Sequence, residues 1–185
     1  LGMMYDDFWE YDPTIDSWMQ KANFNRGPRR EAVAFSIGGK GYVGTGDGGG
    51  LKNDFWEYSP VFNSWQLKDS FPGAPRYEAV GFAINDKGYI GTGNDFTGNY
   101  FSDFWEYNPA ADTWVSMPSY TTIARDHATA FSIGCKGYIT VGNHFGLLND
   151  LWEFSICPPE IKTECPLYVP NAFSPNDDGE NDFLM

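Results

Sequence analysis

The chain has 185 residues, of which 42% are hydrophobic and 18% aromatic, and it contains 21 glycines. Its formal net charge is −13, so nucleic acids and anionic membrane surfaces would repel it and are not expected partners. No run of about 18 apolar residues occurs, so the sequence predicts no membrane-spanning helix. Many aromatic residues combined with many glycines favour an all-β fold of short strands.

One five-residue segment recurs along the chain. Each copy begins with aspartate and carries tryptophan and glutamate at its third and fourth positions. The copies are Asp7–Tyr11, Asp54–Tyr58, Asp103–Tyr107 and Asp150–Phe154. The steps between their tryptophans are 47, 49 and 47 residues. A period of this size indicates stacked copies of one small unit, each of which needs a neighbour to bury its faces.

The first unit is incomplete, because residues 5–19 hold only its third and fourth strands. The second unit contains four predicted strands, separated by turns rich in glycine, proline and asparagine. These strands are Glu31–Ile37, Lys40–Gly46, Asp54–Ser59 and Ser64–Leu67. The third strand has apolar residues on both faces, which is typical of a strand that is buried on both sides.

The next two units repeat this order. The predicted strands of the third unit are Glu78–Ile84, Lys87–Gly93, Asp103–Tyr107 and Thr113–Ser116, and those of the last unit are Ala128–Ile133, Lys136–Gly142 and Asp150–Phe154. The last unit has no fourth strand that carries a tryptophan. Four antiparallel strands in each unit, recurring every 47–49 residues, predict the blades of a β-propeller.

Further residues recur in register with these strands. In the three units that contain a first and a second strand, an arginine precedes the first strand and a Gly-Tyr pair lies in the second; in the three units that contain a fourth strand, a tryptophan lies in it. They are Arg29, Arg76 and Arg125; Gly41-Tyr42, Gly88-Tyr89 and Gly137-Tyr138; and Trp18, Trp65 and Trp114. This pattern resembles the kelch repeat of kelch and galactose-oxidase-type propellers over roughly residues 5–156. The usual Gly-Gly pair after the second strand is replaced here by Thr45-Gly46, Thr92-Gly93 and Val141-Gly142.

The resemblance implies a partial kelch-type propeller over residues 1–156, with blades at 1–22 (partial), 29–68, 76–117 and 125–156 (without its fourth strand). About three blades cannot close a ring, since roughly four to eight are needed. Propellers commonly close when the start of the chain supplies a strand to the last blade, which removes an exposed edge. We therefore expect the missing fourth strand to lie upstream of Leu1 in a longer parent protein. The alternative is that the last blade simply ends early.

A linker at 157–167 separates the propeller from a C-terminal segment at 168–185. Residues 169–182 read VPNAFSPNDDGEND. This string resembles the opening of the gliding-motility-associated C-terminal domain of Bacteroidetes. That family is a sorting signal for type IX secretion, so the resemblance implies a protein that the type IX machinery exports and that is secreted or displayed on the outer-membrane cell surface.

The C-terminal segment contains clustered oxygen ligands around a glycine. They are Asp177, Asp178, Asn181 and Asp182. Such a set suits calcium, which would be the chain's one cofactor. The alternative is a turn in which these side chains bond to their own backbone.

Three cysteines occur, and two of them flank the proline-rich linker. The short spacing of Cys157 and Cys165 predicts a disulfide between them, which an exported protein permits. Two alternatives stay open: Cys165 pairs with a residue beyond the end of this sequence, or both thiols are unpaired. Cys135 occupies a turn position.

The repeated arginines Arg29, Arg76 and Arg125 are expected near the central channel. We expect a structural role for them, in which they bond backbone carbonyls or pair with a repeated acid. The candidate acids are Glu10, Glu57, Glu106 and Glu153. The alternative is an anion-binding ring.

Binding specificity is expected in the loops between the second and third strands, where the copies differ. The aromatic candidates in these loops are Phe96, Tyr100, Phe101, His144 and Phe145. Exposed rings beside aspartate and asparagine suit sugar rings or peptides. The alternative is that these rings cover the blade edges.

The sequence therefore predicts a non-enzymatic binding module with a glycan or a surface protein as its ligand, and no catalytic residue is assigned. One alternative is part of a carbohydrate-active kelch enzyme, similar to galactose oxidase or to a sialic-acid epimerase, with catalytic residues upstream. The galactose-oxidase resemblance requires two histidines and two tyrosines, one of them cross-linked to cysteine. Another alternative is an architectural spacer.

Overall fold

The computed structural model describes residues 4–119 and 123–158. Within these ranges the chain is all-β, with thirteen strands in four antiparallel sheets and no helix. No helix in the described part of the chain is therefore long and apolar enough to cross a membrane. The sheets are open and contain two to four strands, which is consistent with a partial β-propeller.

Each sheet is built from consecutive strands. Sheet 1 contains β1 (Trp9–Asp12) and β2 (Ser17–Gln20). Sheet 2 contains β3 (Val33–Ile37), β4 (Lys40–Gly44), β5 (Phe55–Ser59) and β6 (Ser64–Lys68). Sheet 3 contains β7 (Val80–Ile84), β8 (Lys87–Gly91), β9 (Phe104–Asn108) and β10 (Thr113–Met117). Sheet 4 contains β11 (Thr129–Ile133), β12 (Lys136–Thr140) and β13 (Leu151–Ser155).

The predicted strands are confirmed, but several are shorter than expected. β3 begins at Val33 rather than Glu31, because Glu31 has a left-handed φ of 54°. β4 ends at Gly44 rather than Gly46, because Thr45 has a φ of 58°. The equivalent residues Thr92 and Val141 have φ values of 62° and 53° and end β8 and β12 in the same way. These β-branched residues stand where the kelch pattern has a glycine, which would adopt this φ at little cost.

The four repeated tryptophans occupy equivalent positions in the strand that is third in the repeat, which is β1, β5, β9 and β13 in sheets 1 to 4. Each indole Nε1 donates a hydrogen bond to the aspartate two residues earlier. The Nε1–Oδ2 distances are 2.7, 2.8, 2.9 and 2.7 Å for Trp9, Trp56, Trp105 and Trp152. The predicted register of the repeat is therefore confirmed.

The core lies between the sheets, where the first strands are neighbours: β3 packs beside β7, and β7 beside β11. The ring of Phe55, which is fully buried, packs against Tyr107 and Trp114 of sheet 3 at centroid distances of 4.8 and 4.9 Å. Gly88 has no room for a side chain, because the Phe35 ring of sheet 2 fills the space where its Cβ would be. Each sheet is thus shaped to fit its neighbour.

The predicted Cys157–Cys165 disulfide is wrong, because Cys157 is bonded to Cys135 instead. β12 and β13 pair with Lys136 opposite Ser155, so the residues just before β12 and just after β13 lie together. The amide of Ile156 also donates to the carbonyl of Cys135 at 3.1 Å. Strand register therefore brings together two cysteines that are 22 residues apart. Cys165 lies outside the described residues.

Trypsin digestion under non-reducing conditions should confirm this bond. Cleavage after Arg125, Lys136 and Lys162 places the three cysteines in different peptides, 126–136, 137–162 and 163–185. We expect mass spectrometry to find 126–136 linked to 137–162, and reduction to lower the free energy of unfolding by about 3 kcal/mol. A link between 137–162 and 163–185 would contradict the assignment.

Candidate ligand-binding surface

The repeated arginines are buried and paired with carboxylates, as expected for a structural role. Arg76 donates two hydrogen bonds to the carboxylate of Asp103, at 2.5 and 2.8 Å, and a third to the carbonyl oxygen of Thr92. The equivalent bidentate pairs are Arg29–Asp54 and Arg125–Asp150. Because the three arginine side chains are at most 5% exposed, they do not form an open anion-binding ring.

The predicted glutamate partners of these arginines are wrong. The repeated glutamate lies in the middle of the third strand, opposite the tyrosine of the second strand, and accepts that tyrosine's hydroxyl. Glu57 pairs with Tyr42 and Lys40, Glu106 with Tyr89, and Glu153 with Tyr138 and Lys136, while Glu10 forms an ion pair with Lys21. The aspartate before the third strand lies at the same end of the sheet as the repeated arginine. It therefore accepts the hydrogen bonds from the guanidinium.

The arginine favours the ionised form of the aspartate in the Arg125–Asp150 pair. The hydrogen bond from Arg125, with a further bond from the indole of Trp152, lowers the pKa of Asp150 to about 2. Arg76 also lies between the rings of Phe71 and Phe101, at 4.9 and 4.1 Å from their centroids. The arginines are therefore part of the packing between the end of one sheet and the loops above it.

The Asp103→Asn variant should lower the free energy of unfolding by about 3–5 kcal/mol, because it leaves the buried Arg76 guanidinium without a counter-charge. Asp7→Asn is the matched control, since Asp7 accepts the Trp9 indole in the same way but has no guanidinium partner among the described residues. Urea unfolding of both variants tests this expectation. An equal loss in both would contradict it.

Three of the five predicted loop residues converge. The ring of Tyr100, from the loop after β8, lies 5.2 Å from both His144 and Phe145 in the loop after β12. His144 and Phe145 are 4.8 Å apart. The amide of Asn143 donates to the Tyr100 hydroxyl at 3.1 Å. These loops belong to adjacent sheets, so the cluster bridges sheets 3 and 4.

The other two predicted residues lie elsewhere. Phe96, which is 58% exposed, packs against Tyr77 at 5.2 Å. Its loop is held by the carboxylate of Asp95, which accepts hydrogen bonds from Asn99 and Thr97 that lower its pKa. Phe101 covers the Arg76 guanidinium and does not join the cluster. Phe101 therefore packs on an arginine of its own unit.

A group of acidic residues and a histidine lies next to the aromatic cluster. His127 Nε2 is 2.8 Å from Glu78 Oε1, and His127 Nδ1 is 3.1 Å from Asp126 Oδ1. The amide of Asn94 donates to both carboxylates. The Asn143 amide also lies 3.4 Å from Asp126, so the two groups are contiguous.

The sequence analysis missed this group, although the repeat carries a signal for it. His127 stands where the earlier units have Glu31 and Glu78, and all three residues have a left-handed φ, between 49° and 56°. Aligning the copies reveals a histidine in register with two glutamates. Strained backbone at non-glycine residues often accompanies function.

These side chains perturb one another's pKa. Burial, with the nearby charge of Asp126, raises the pKa of Glu78 to about 7. Burial alone would lower the pKa of His127, but its hydrogen bond to Asp126 and the charge of Glu78 raise it. Ligand atoms of Glu78, Asp126 and His127 lie within 4.8 Å of one another, which a metal ion would require. Both nitrogens of His127 already face carboxylates, however, so the group satisfies itself as an ion-pair cluster.

The predicted calcium ligands Asp177, Asp178, Asn181 and Asp182 lie outside the described residues.

We define the loop surface as Tyr100, Asn143, His144 and Phe145 together with the adjoining cluster Glu78, Asp126 and His127.

Comparison with known proteins supports the fold. No protein-family model matches the chain, and no curated protein matches it. Among solved structures, that of YjhT is similar, with a TM-score of 0.65 and 21% sequence identity over 75% of this chain and 52% of the YjhT chain. This chain therefore spans about half the length of YjhT. At this identity the similarity shows the fold alone.

The free energy of unfolding should decrease as the pH rises from about 5 to about 8. The folded chain keeps protons on Glu78 and His127 at pH values where the unfolded chain releases them, so their contribution is present at low pH and lost as each folded-state pKa is passed. Glu78→Gln should flatten this decline, as measured by urea unfolding at several pH values. The exposed Asp86→Asn variant is the control and should keep the slope; an unchanged slope in Glu78→Gln would contradict the assignment.

Proposed function

We propose that the chain is part of a kelch-type β-propeller, with sheets 1–4 as its successive blades. The equivalent tryptophans, the recurring Arg–Asp pairs and the side-by-side first strands support this reading. The similarity to YjhT supports the arrangement of the sheets as a fold that recurs in another protein.

The propeller is proposed to be a non-enzymatic binding module whose loop surface takes a glycan. The observation that carries this proposal is the cluster of Tyr100, His144 and Phe145, in which Phe145 is 83% exposed. Aromatic faces beside amide and carboxylate groups suit sugars, which present C–H faces to rings and hydroxyls to polar groups. Asn143 and Asp126 supply such polar groups next to the rings.

Export is proposed from two features of the chain. Residues 168–185 resemble a type IX sorting domain, whose machinery would then be a partner. The Cys135–Cys157 disulfide also fits an oxidising compartment, because disulfides are rare in the cytosol. The location proposed is the cell surface or the medium of a Bacteroidetes-type bacterium.

A second candidate is part of a carbohydrate-active enzyme, and Glu78 is the observation that favours it. A carboxyl group with a pKa near 7 beside a histidine is suited to general acid–base catalysis. The galactose-oxidase version gains no support from Cys135, whose sulfur is bonded to Cys157 and is not available for a cross-link to tyrosine. Release of a modified sugar from any glycan that binds would favour the enzyme.

A glycan array probed with the 185-residue chain should reveal at least one bound sugar. Tyr100→Ala and Phe145→Ala should each weaken its binding about tenfold, because each removes roughly 1–1.5 kcal/mol of ring contact. Phe62→Ala is the matched control, because Phe62 is 80% exposed on the β5–β6 turn, outside the loop surface. Absence of binding to every glycan would contradict the proposal and leave a surface-protein ligand or the spacer role.

A further inference from the structure

A cavity of about 390 Å³ lies at the loop end of sheet 2. Its lining comes from the segment that joins β2 to β3, from the loop between β4 and β5, and from β5 and β6. The charged residues in this lining are Arg26, Arg29, Lys52 and Asp54. Every lining residue lies between positions 26 and 70, inside the first described range. We call this space the basic cavity.

The basic cavity has an excess of positive charge. Arg29 and Asp54 neutralise each other through two hydrogen bonds of 2.7 and 2.8 Å. Neither Arg26 nor Lys52 forms an ion pair with a carboxylate of the described residues. The Arg26 guanidinium lies over the Trp56 ring, 5.0 Å from its centroid. Arg26 and Lys52 thus leave two positive charges in the cavity, although the chain has a net charge of −13.

These two cations are not part of the repeat. Two residues before the repeated aspartate, the second unit has Lys52 where the next two units have Phe101 and Leu148. Three residues before the repeated arginine, it has Arg26 where the third unit has Gly73. Residues that support only the fold recur with the repeat, whereas binding residues differ between copies. The pattern therefore favours a binding role for Lys52 and Arg26.

The third unit shows how the same place is filled when it serves packing alone. There the ring of Phe101 lies 4.1 Å from the Arg76 guanidinium and covers it. The second unit has a flexible lysine in place of this ring. Gly48 leaves space beside that lysine, because a Cβ at Gly48 would lie 3.3 Å from Lys52 Cε. An aromatic cover is therefore replaced by a cation, and the cavity is open.

We propose that the basic cavity binds a sulfate or carboxylate group carried by a sugar. Guanidinium and ammonium groups donate strong, charge-assisted hydrogen bonds to such oxyanions, and Arg26 and Lys52 supply one of each. The volume falls within the range of small-molecule sites, so the cavity has room for a sugar ring as well as its anionic group. Ser70 and Leu67, which also line the cavity, offer a hydroxyl and an apolar contact to the ring.

The basic cavity is separate from the loop surface, whose residues come from the third and fourth units. The positive charge of the cavity is independent of what the loop surface binds. Only the choice of a sugar as the carrier of the anion rests on the proposed function.

An NMR titration of the 185-residue chain with glucose 6-sulfate, glucuronic acid and glucose tests the proposal. The three sugars share one ring, so a difference between them reports the anionic group. The Trp56 indole N–H signal should shift with at least one anionic sugar and not with glucose, while the Trp152 indole signal stays in place. The sugar that causes the shift identifies the group as sulfate or carboxylate. A shift with neither anionic sugar, or an equal shift with glucose, would overturn the proposal.

Three variants test whether the two cations carry the binding. Lys52→Phe copies the third unit and should close the cavity as Phe101 does there, so binding should weaken about tenfold or more. Arg26→Gln removes one charge and should weaken binding roughly fivefold. Lys87→Gln is the matched control, because it removes a half-buried lysine beside the β7–β8 turn of sheet 3. An equal loss of affinity in this control would mean a general effect of charge and would overturn the proposal.

Tyr100→Ala separates the basic cavity from the loop surface. We expect this variant to bind the anionic sugar as the unaltered chain does, whatever it does to glycan binding at the loop surface. Loss of the Trp56 shift in Lys52→Phe alone would support the basic cavity, even if the proposed glycan binding failed. Loss in Tyr100→Ala but not in Lys52→Phe would assign the anionic sugar to the loop surface. That result would overturn this inference and leave the proposed function intact.

Discussion

The structure depends on the packing of aromatic rings between neighbouring sheets. Tyr107 and Trp114 of the next sheet help to bury Phe55 fully, and Gly88 leaves room for the Phe35 ring of the preceding sheet. A sheet that is apolar on both faces cannot be stable alone in water. Neighbouring sheets therefore stabilise one another, because each buries apolar surface of the next.

The buried Arg–Asp pairs lie at the end of each sheet, next to this aromatic packing. Each buried arginine is paired with an aspartate of its own sheet, which offsets the cost of burying a charge in the layer where sheets and loops meet. The loops above this layer are then free to differ between copies. Tyr100, His144 and Phe145 converge there because their loops come from adjacent sheets, and the cluster of Glu78, Asp126 and His127 lies beside them.

The strands and their register could be predicted because the same order of strands and turns recurs in each copy of the repeat. Trp9, Trp56, Trp105 and Trp152 lie at the same position in each copy and so align the copies. The pairing of Cys157 could not, because it depends on which residues β12 and β13 place opposite each other. Proximity in sequence favoured Cys165 instead. Phe101 was predicted to be a binding residue for a similar reason: its contact with Arg76, which precedes the first strand of the same unit, depends on the fold and not on the sequence of its own loop.

Native-state hydrogen exchange of a Phe55→Ala variant tests most directly whether the sheets stabilise one another. Removing this ring should destabilise the interface by about 3–5 kcal/mol. We predict faster amide exchange in β4 of sheet 2 and, to a similar extent, in β8 of sheet 3, because both sheets bury surface against Phe55. Faster exchange confined to sheet 2, with β8 unchanged, would contradict the account.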